Sequence, residues 1–140
     1  MIITFVGHRD ASWKIYHSLY QTIQLLIEKE GAQTFFVGDC GNFDRMAYKA
    51  LRELKKIYKS IDWQVVLAYM PCGENSDKGK ENTLFPAELA TVPARFAIDR
   101  RNRWLIEHSN AVIAYVKRSY GGAANFKKRV ISKGKRVIEL

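Results

Sequence analysis

Residues 2–10 read IITFVGHRD. A run of apolar and β-branched residues, too short for a buried helix, stops at Gly7, and His8, Arg9 and Asp10 follow at once. Residues 2–6 therefore predict a buried strand closed by a glycine turn. A connecting turn needs the glycine, but not an imidazole and a guanidinium beside it. The expectation is that Gly7 leaves room for an anionic guest and that Arg9 meets it as a hydrogen-bonding fork.

The rest of the chain repeats the strand–turn–helix order. Apolar residues at 15, 16, 19, 23, 26 and 27 predict a helix over 12–30, ended by Gly31. A second strand over 34–37 is closed by Gly38. Asn42 is the expected cap of the next helix, whose stripe runs through Phe43, Met46, Ala47, Ala50, Leu51 and Leu54. A third strand is expected over 63–69, ended by Pro71. Residues 72–93 are rich in polar residues and read as a long loop with one helical turn near 85–89. A helix over 94–108, a strand over 111–116, a helix beginning after Gly121-Gly122 and a strand over 136–140 complete the chain. This alternation predicts one α/β domain over residues 1–140, with three layers and a mainly parallel five-stranded sheet. In such sheets ligands lie at the carboxyl ends of the strands, where strand order reverses.

That edge collects the candidate residues. Gly38-x-x-Gly41 and Gly121-Gly122 each precede a helix start, where unpaired N–H groups and the helix dipole favour phosphate. Asp44, early in its helix, can accept hydrogen bonds from a ribose. His8 can contact a base or ribose, or be a buried histidine bonded to backbone. The helix over 94–108 carries Arg100, Arg101, Asn102 and Arg103. Successive helix residues lie about 100° apart, so Arg100 and Arg103 can share a face while Arg101 points elsewhere. Trp104 and Leu105 read as core, and Cys40 and Cys72 as ordinary thiols.

Composition narrows the partners. The chain has 140 residues and a net charge of +9. Residues 1–94 hold 11 basic and 11 acidic residues, whereas 95–140 hold 12 basic and 3 acidic, so the last third carries the whole excess. An anionic partner is implied. There is no run of about 20 apolar residues that would span a bilayer. With no secretion-signal pattern at its start, the chain is expected in the cytoplasm. No P-loop, dinucleotide fingerprint or nucleophile elbow is present. No cofactor or metal is expected, and a homo-oligomer is compatible with the sequence.

These residues together resemble the SLOG superfamily, the Rossmann-like fold shared by DprA/Smf proteins and the Lonely Guy (LOG) enzymes, and within it the small YpsA-like members. The resemblance rests on Gly7-His8-Arg9, on Gly38 to Gly41 followed by Phe43-Asp44, on Arg101-Asn102-Arg103-Trp104, and on Gly121-Gly122. It implies a pocket for a nucleotide or ADP-ribose-related phosphate ligand, held by a sensor or carrier. LOG enzymes cleave the N-glycosidic bond of nucleoside monophosphates with paired glutamates that here fall on Lys127 and Lys128. A lysine cannot replace a carboxylate at an oxocarbenium-like centre. Cleavage would need other acids, such as Asp39, Asp44 or Glu74. Nucleic-acid binding is the third reading, allowed by the charge and by the DprA relationship.

Overall fold

The computed structural model describes residues 1–69 and 82–140. Among these residues six strands form one sheet: β1 (Ile2–Gly7), β2 (Thr34–Val37), β3 (Asp62–Val66), β4 (Thr83–Leu84), β5 (Ala111–Tyr115) and β6 (Arg136–Glu139). Their order is β4-β3-β2-β1-β5-β6, and every neighbouring pair is parallel. The expected parallel α/β architecture is borne out, with one strand more than the five expected. The extra strand is β4, in the stretch read as loop. It is two residues long, held by Val65 opposite Thr83 and Val66 opposite Leu84, and so short that no periodicity could announce it.

Among the described residues four α-helices cover the sheet: α1 (Tyr16–Glu30), α2 (Asn42–Lys55), α3 (Ala97–Glu107) and α4 (Gly122–Ser132). Two begin later than their periodicity suggests, because a 3-10 turn precedes each, Trp13–Ile15 before α1 and Ala94–Phe96 before α3. The Ser12 hydroxyl accepts from the Lys14 N–H and starts the first of these turns. The expected turn near 85–89 is present as the 3-10 turn Ala87–Leu89. The third strand ends at Val66, earlier than expected. Met70-Pro71-Cys72-Gly73, the segment that the sequence puts after the third strand at the ligand edge, and Glu74, named as a possible acid, lie outside the described residues.

Alternation along the strands separates two cores. Ile3, Phe5, Phe35, Val37 and Ile113 pack under α1 and α2, with Leu19, Ile23, Phe43, Met46 and Leu51. Val6, Val112 and Ala114 pack under α3 and α4, with Leu105, Ile106, Phe126 and Val130. Each of the larger side chains contributes about 1.5–3 kcal/mol by leaving water. Trp104, expected in the core, is half-buried and lies 5.2 Å from Phe36 between ring centres. Lys55 Nζ holds the turn after α2 by donating to the carbonyls of Lys59 and Ile61, and Lys135 Nζ closes the end of α3 by donating to those of Ile106, Glu107 and Ser109. At α3 the ammonium group satisfies orphan carbonyls at the negative end of the helix dipole. Part of the basic excess in the last third is thus structural.

Among the described residues no helix is long and apolar enough to cross a membrane.

Candidate functional site

Strand order reverses between β1 and β5: the chain leaves β1 for β2 on one side and β5 for β6 on the other. Register pairs Gly7 with Tyr115, so the loops after these two strands start level with each other. A cleft of about 340 Å³ opens above them, within the usual range for a small-molecule site. It is lined by Gly7, His8 and Arg9 after β1, Gly38 and Asp44 around the start of α2, Arg101 and Asn102 on α3, and Gly121 and Gly122 at the start of α4. Nine of the eleven sequence candidates therefore meet in one hollow. Gly41 and Arg100 do not line it. Gly41 lies against Arg9, and exposed Arg100 lines a separate groove with Glu88, Phe96 and Arg103.

The two glycine-led helix starts share a backbone and differ in what stands before them. Gly41 has φ 93° and ψ −174°, and Gly121 has φ 94° and ψ −178°, a region open essentially to glycine alone. At α2 the start is filled from within. The Asn42 N–H donates to the Arg9 carbonyl at 2.9 Å, and the Cys40 N–H to Asp44 Oδ2 at 2.9 Å. A Cβ on Gly41 would lie 2.5 Å from Arg9 Cα. Asn42 is the first helical residue, not the expected cap; its side chain donates to the Ala11 carbonyl. At α4 the space is open: a Cβ on Gly121 or Gly122 would meet no atom within 4 Å. The anion seat expected at Gly38-x-x-Gly41 is thus occupied by the protein itself, and the one at Gly121-Gly122 is free among the described residues.

Gly7 also has another reason to be glycine. A Cβ there would lie 2.2 Å from the Phe43 ring, so the position is kept small for helix α2. Arg9, not Gly7, carries the anion argument at this loop. Among the described residues its guanidinium makes no ion pair.

His8 is buried, and its Nε2 accepts the Lys117 N–H at 2.8 Å. With Nε2 accepting, the ring proton sits on Nδ1. Burial, with Arg118 nearby, lowers its pKa, and Asp10 opposes that only in part. The ring is the neutral, backbone-bonded histidine that was one of its two sequence readings, and it ties the β1 loop to the β5 loop.

Arg101 neither points away nor reaches solvent. It is 3% exposed, and its Nη1 donates to Asp39 Oδ1 at 2.9 Å and to the Val66 carbonyl at 3.0 Å. Gly38 makes room for it, since a Cβ there would crowd Asp44 Oδ2 at 2.7 Å and Arg101 Nη1 at 3.2 Å. Arg101 Nε donates to Asn102 Oδ1 at 2.9 Å, which turns the Asn102 amide so that its NH₂ is the group left for a guest. Burial pushes Asp44 up to about 6, against the Cys40 N–H and Arg101. The cleft thus offers a donor on Asn102, a titrating carboxyl on Asp44, the Arg9 guanidinium and the open start of α4.

Cys40, Arg118 and Tyr120, which the sequence placed on this edge without a role, also line the cleft, as do Asp10 and Ile98, which it did not place there. Ile98 had a legible signal: residues 98, 101, 102 and 105 recur at helical spacing on one face of α3. The partnership of Asp10 with Arg118 had none. They pair at 2.7 Å across 108 residues, which only the adjacency of β1 and β5 brings about. Lys127 and Lys128, aligned with the LOG glutamates, do not line the cleft. Lys127 pairs with Glu139, and Lys128 is exposed.

No protein-family model and no curated protein matches the sequence. Among solved structures, the chain is similar to DNA processing protein A (DprA) from Streptococcus pneumoniae, with a TM-score of 0.68 at 16% identity. The match covers 98% of this chain and 49% of that one, so the chain spans about half the length of DprA. At that identity the likeness is one of fold, and it does not single out the YpsA-like branch. The protein has the Rossmann-like fold that it shares with DprA.

Proposed function

We propose that the chain binds a nucleotide or ADP-ribose-related phosphate ligand in the cleft between β1 and β5, as a sensor or carrier. The phosphate lies on the N–H groups at the start of α4, with Arg9 beside it, and Asp44 and Asn102 take the ribose or base. One observation carries this reading: the open helix start at Gly121-Gly122 faces the same hollow as two hydrogen-bonding side chains and Arg9, which has no ion-pair partner among the described residues. Backbone amides at a helix start suit phosphate without any further group. The test is a thermal-shift panel of nucleoside mono- and diphosphates, cyclic nucleotides, NAD and ADP-ribose. At least one raises the melting temperature in a concentration-dependent way; a flat response to the whole panel overturns the reading.

A second reading, cleavage of an N-glycosidic bond, is favoured by Asp44 alone. A carboxyl near pKa 6 in a cleft suits proton transfer at neutral pH. Asp39, the other described candidate acid, is engaged by Arg101. Free base released from AMP or NAD, and lost in Asp44→Asn, would favour the enzyme over the carrier. The third reading, nucleic-acid binding, has the fold likeness to a DNA processing protein behind it. Against it, two of the three cleft arginines are already neutralised, Arg101 by Asp39 and Arg118 by Asp10.

A further inference from the structure

The Asp10–Arg118 ion pair lies within the cleft. Both residues line it, and Arg118 Nη2 stands 2.7 Å from Asp10 Oδ2. The pair joins the loop after β1 to the loop after β5, where the Lys117 N–H also reaches His8. That second loop runs directly into the open start of α4. Both side chains are well exposed, 44% for Arg118 and 66% for Asp10, and an exposed ion pair is a weak one. Arg118 thus already holds an oxyanion at the rim of the proposed phosphate seat. Exchanging that oxyanion for another requires only rotation of two surface side chains.

We propose that Asp10 is the resting counter-ion of Arg118 and that the ligand's phosphate must displace it, a competition that a doubly charged phosphomonoester offsets through Arg9 and the α4 amides and a phosphodiester does not. The inference rests on the reading of the cleft as a phosphate site and specifies the charge that the phosphate must carry. A diester brings one negative charge. Trading it for the Asp10 carboxylate leaves the balance at Arg118 unchanged and sets the released carboxylate beside the newcomer. A monoester, doubly ionised above its second pKa of about 6, brings one charge for Arg118 and another for Arg9 and the α4 amides. A nucleic-acid backbone is a chain of diesters, so Asp10 works against it.

The test uses methyl phosphate and dimethyl phosphate, which have neither base nor ribose. Each is titrated into the wild-type chain, Asp10→Asn, Asp10→Ala and Arg118→Gln at pH 8 and low, fixed ionic strength, and read by the amide NMR shifts of Gly121, Gly122 and Ala123. Wild type takes methyl phosphate in preference to dimethyl phosphate. Both Asp10 variants bind dimethyl phosphate about two- to five-fold more tightly than wild type, and Arg118→Gln weakens methyl phosphate and removes the preference. Equal affinities in wild type, or Asp10 variants no better for dimethyl phosphate, overturn the inference. If nucleotides bind but the two phosphates titrate alike, the inference falls and the ligand reading stands. If the phosphates follow the expected pattern while the nucleotide panel is flat, the charge selection stands and the nucleotide reading falls. If nothing titrates, both fall.

Discussion

Asp44 shows how one residue can serve packing and chemistry at once. Its Oδ2 holds the turn before α2 through the Cys40 N–H, and its carboxyl sits opposite Arg101 across Gly38. Burial is the largest influence on it and raises it from an ordinary 3.8 to about 6. The folded state therefore holds this proton more tightly than the unfolded chain does. The resulting stability is fully present below about pH 4 and is lost as pH rises through about 6. Asp44→Asn keeps an oxygen for the Cys40 N–H and removes the buried charge. The variant is expected to match wild type near pH 4 and to exceed it above pH 7 by on the order of 2 kcal/mol. Urea denaturation at both pH values reads this directly, and an equal difference at the two would contradict it. Gly7 makes the opposite point. Its smallness was legible and its cause was not, because the Phe43 ring that fills the space comes from an element 36 residues away in sequence.

Among the elements, α2 and α4 are the informative pair. Both were legible as helices led by glycine, and both were expected to seat an anion. Sequence could not tell them apart, since what closes the α2 start is the Arg9 backbone, and every residue type has a carbonyl. The difference is testable by substitution. Gly122→Ala introduces a methyl group where nothing lies within 4 Å and no positive φ is required, so the fold should retain its melting temperature. Gly122 lines the cleft beside the amides proposed to hold phosphate, so a methyl group there should lower ligand affinity. Gly121→Ala, at φ 94°, should cost roughly 1–3 kcal/mol of stability through backbone strain. Thermal melts with and without ligand separate the two effects. Unaltered ligand affinity in Gly122→Ala would move the phosphate elsewhere.

For the molecule as a whole, the alternation of strands and helices made the parallel sheet legible, and glycines at strand ends marked the right edge. Strand order was not legible, because no local pattern records which strands are neighbours. The Asp10–Arg118 pair, the His8–Lys117 bond and the burial of Arg101 between Asp39 and Val66 all depend on that order. The charge asymmetry was legible in amount but not in use. Lys135 closes the end of α3, Arg129 pairs with Asp99 and Arg136 with Glu30, all away from the cleft.

The cleft straddles the seam between β1 and β5, and its walls come from four stretches of chain separated by most of the sequence. A guest that touches Arg9 on one side and Gly122 on the other would clamp the two halves of the sheet together. Its effect would reach the amides of the β1–β5 ladder at the floor of the cleft. Hydrogen–deuterium exchange at Phe5, Val6 and residues 113–115 should slow when the cleft is filled, while exchange in the distant β3 should follow only the overall gain in stability.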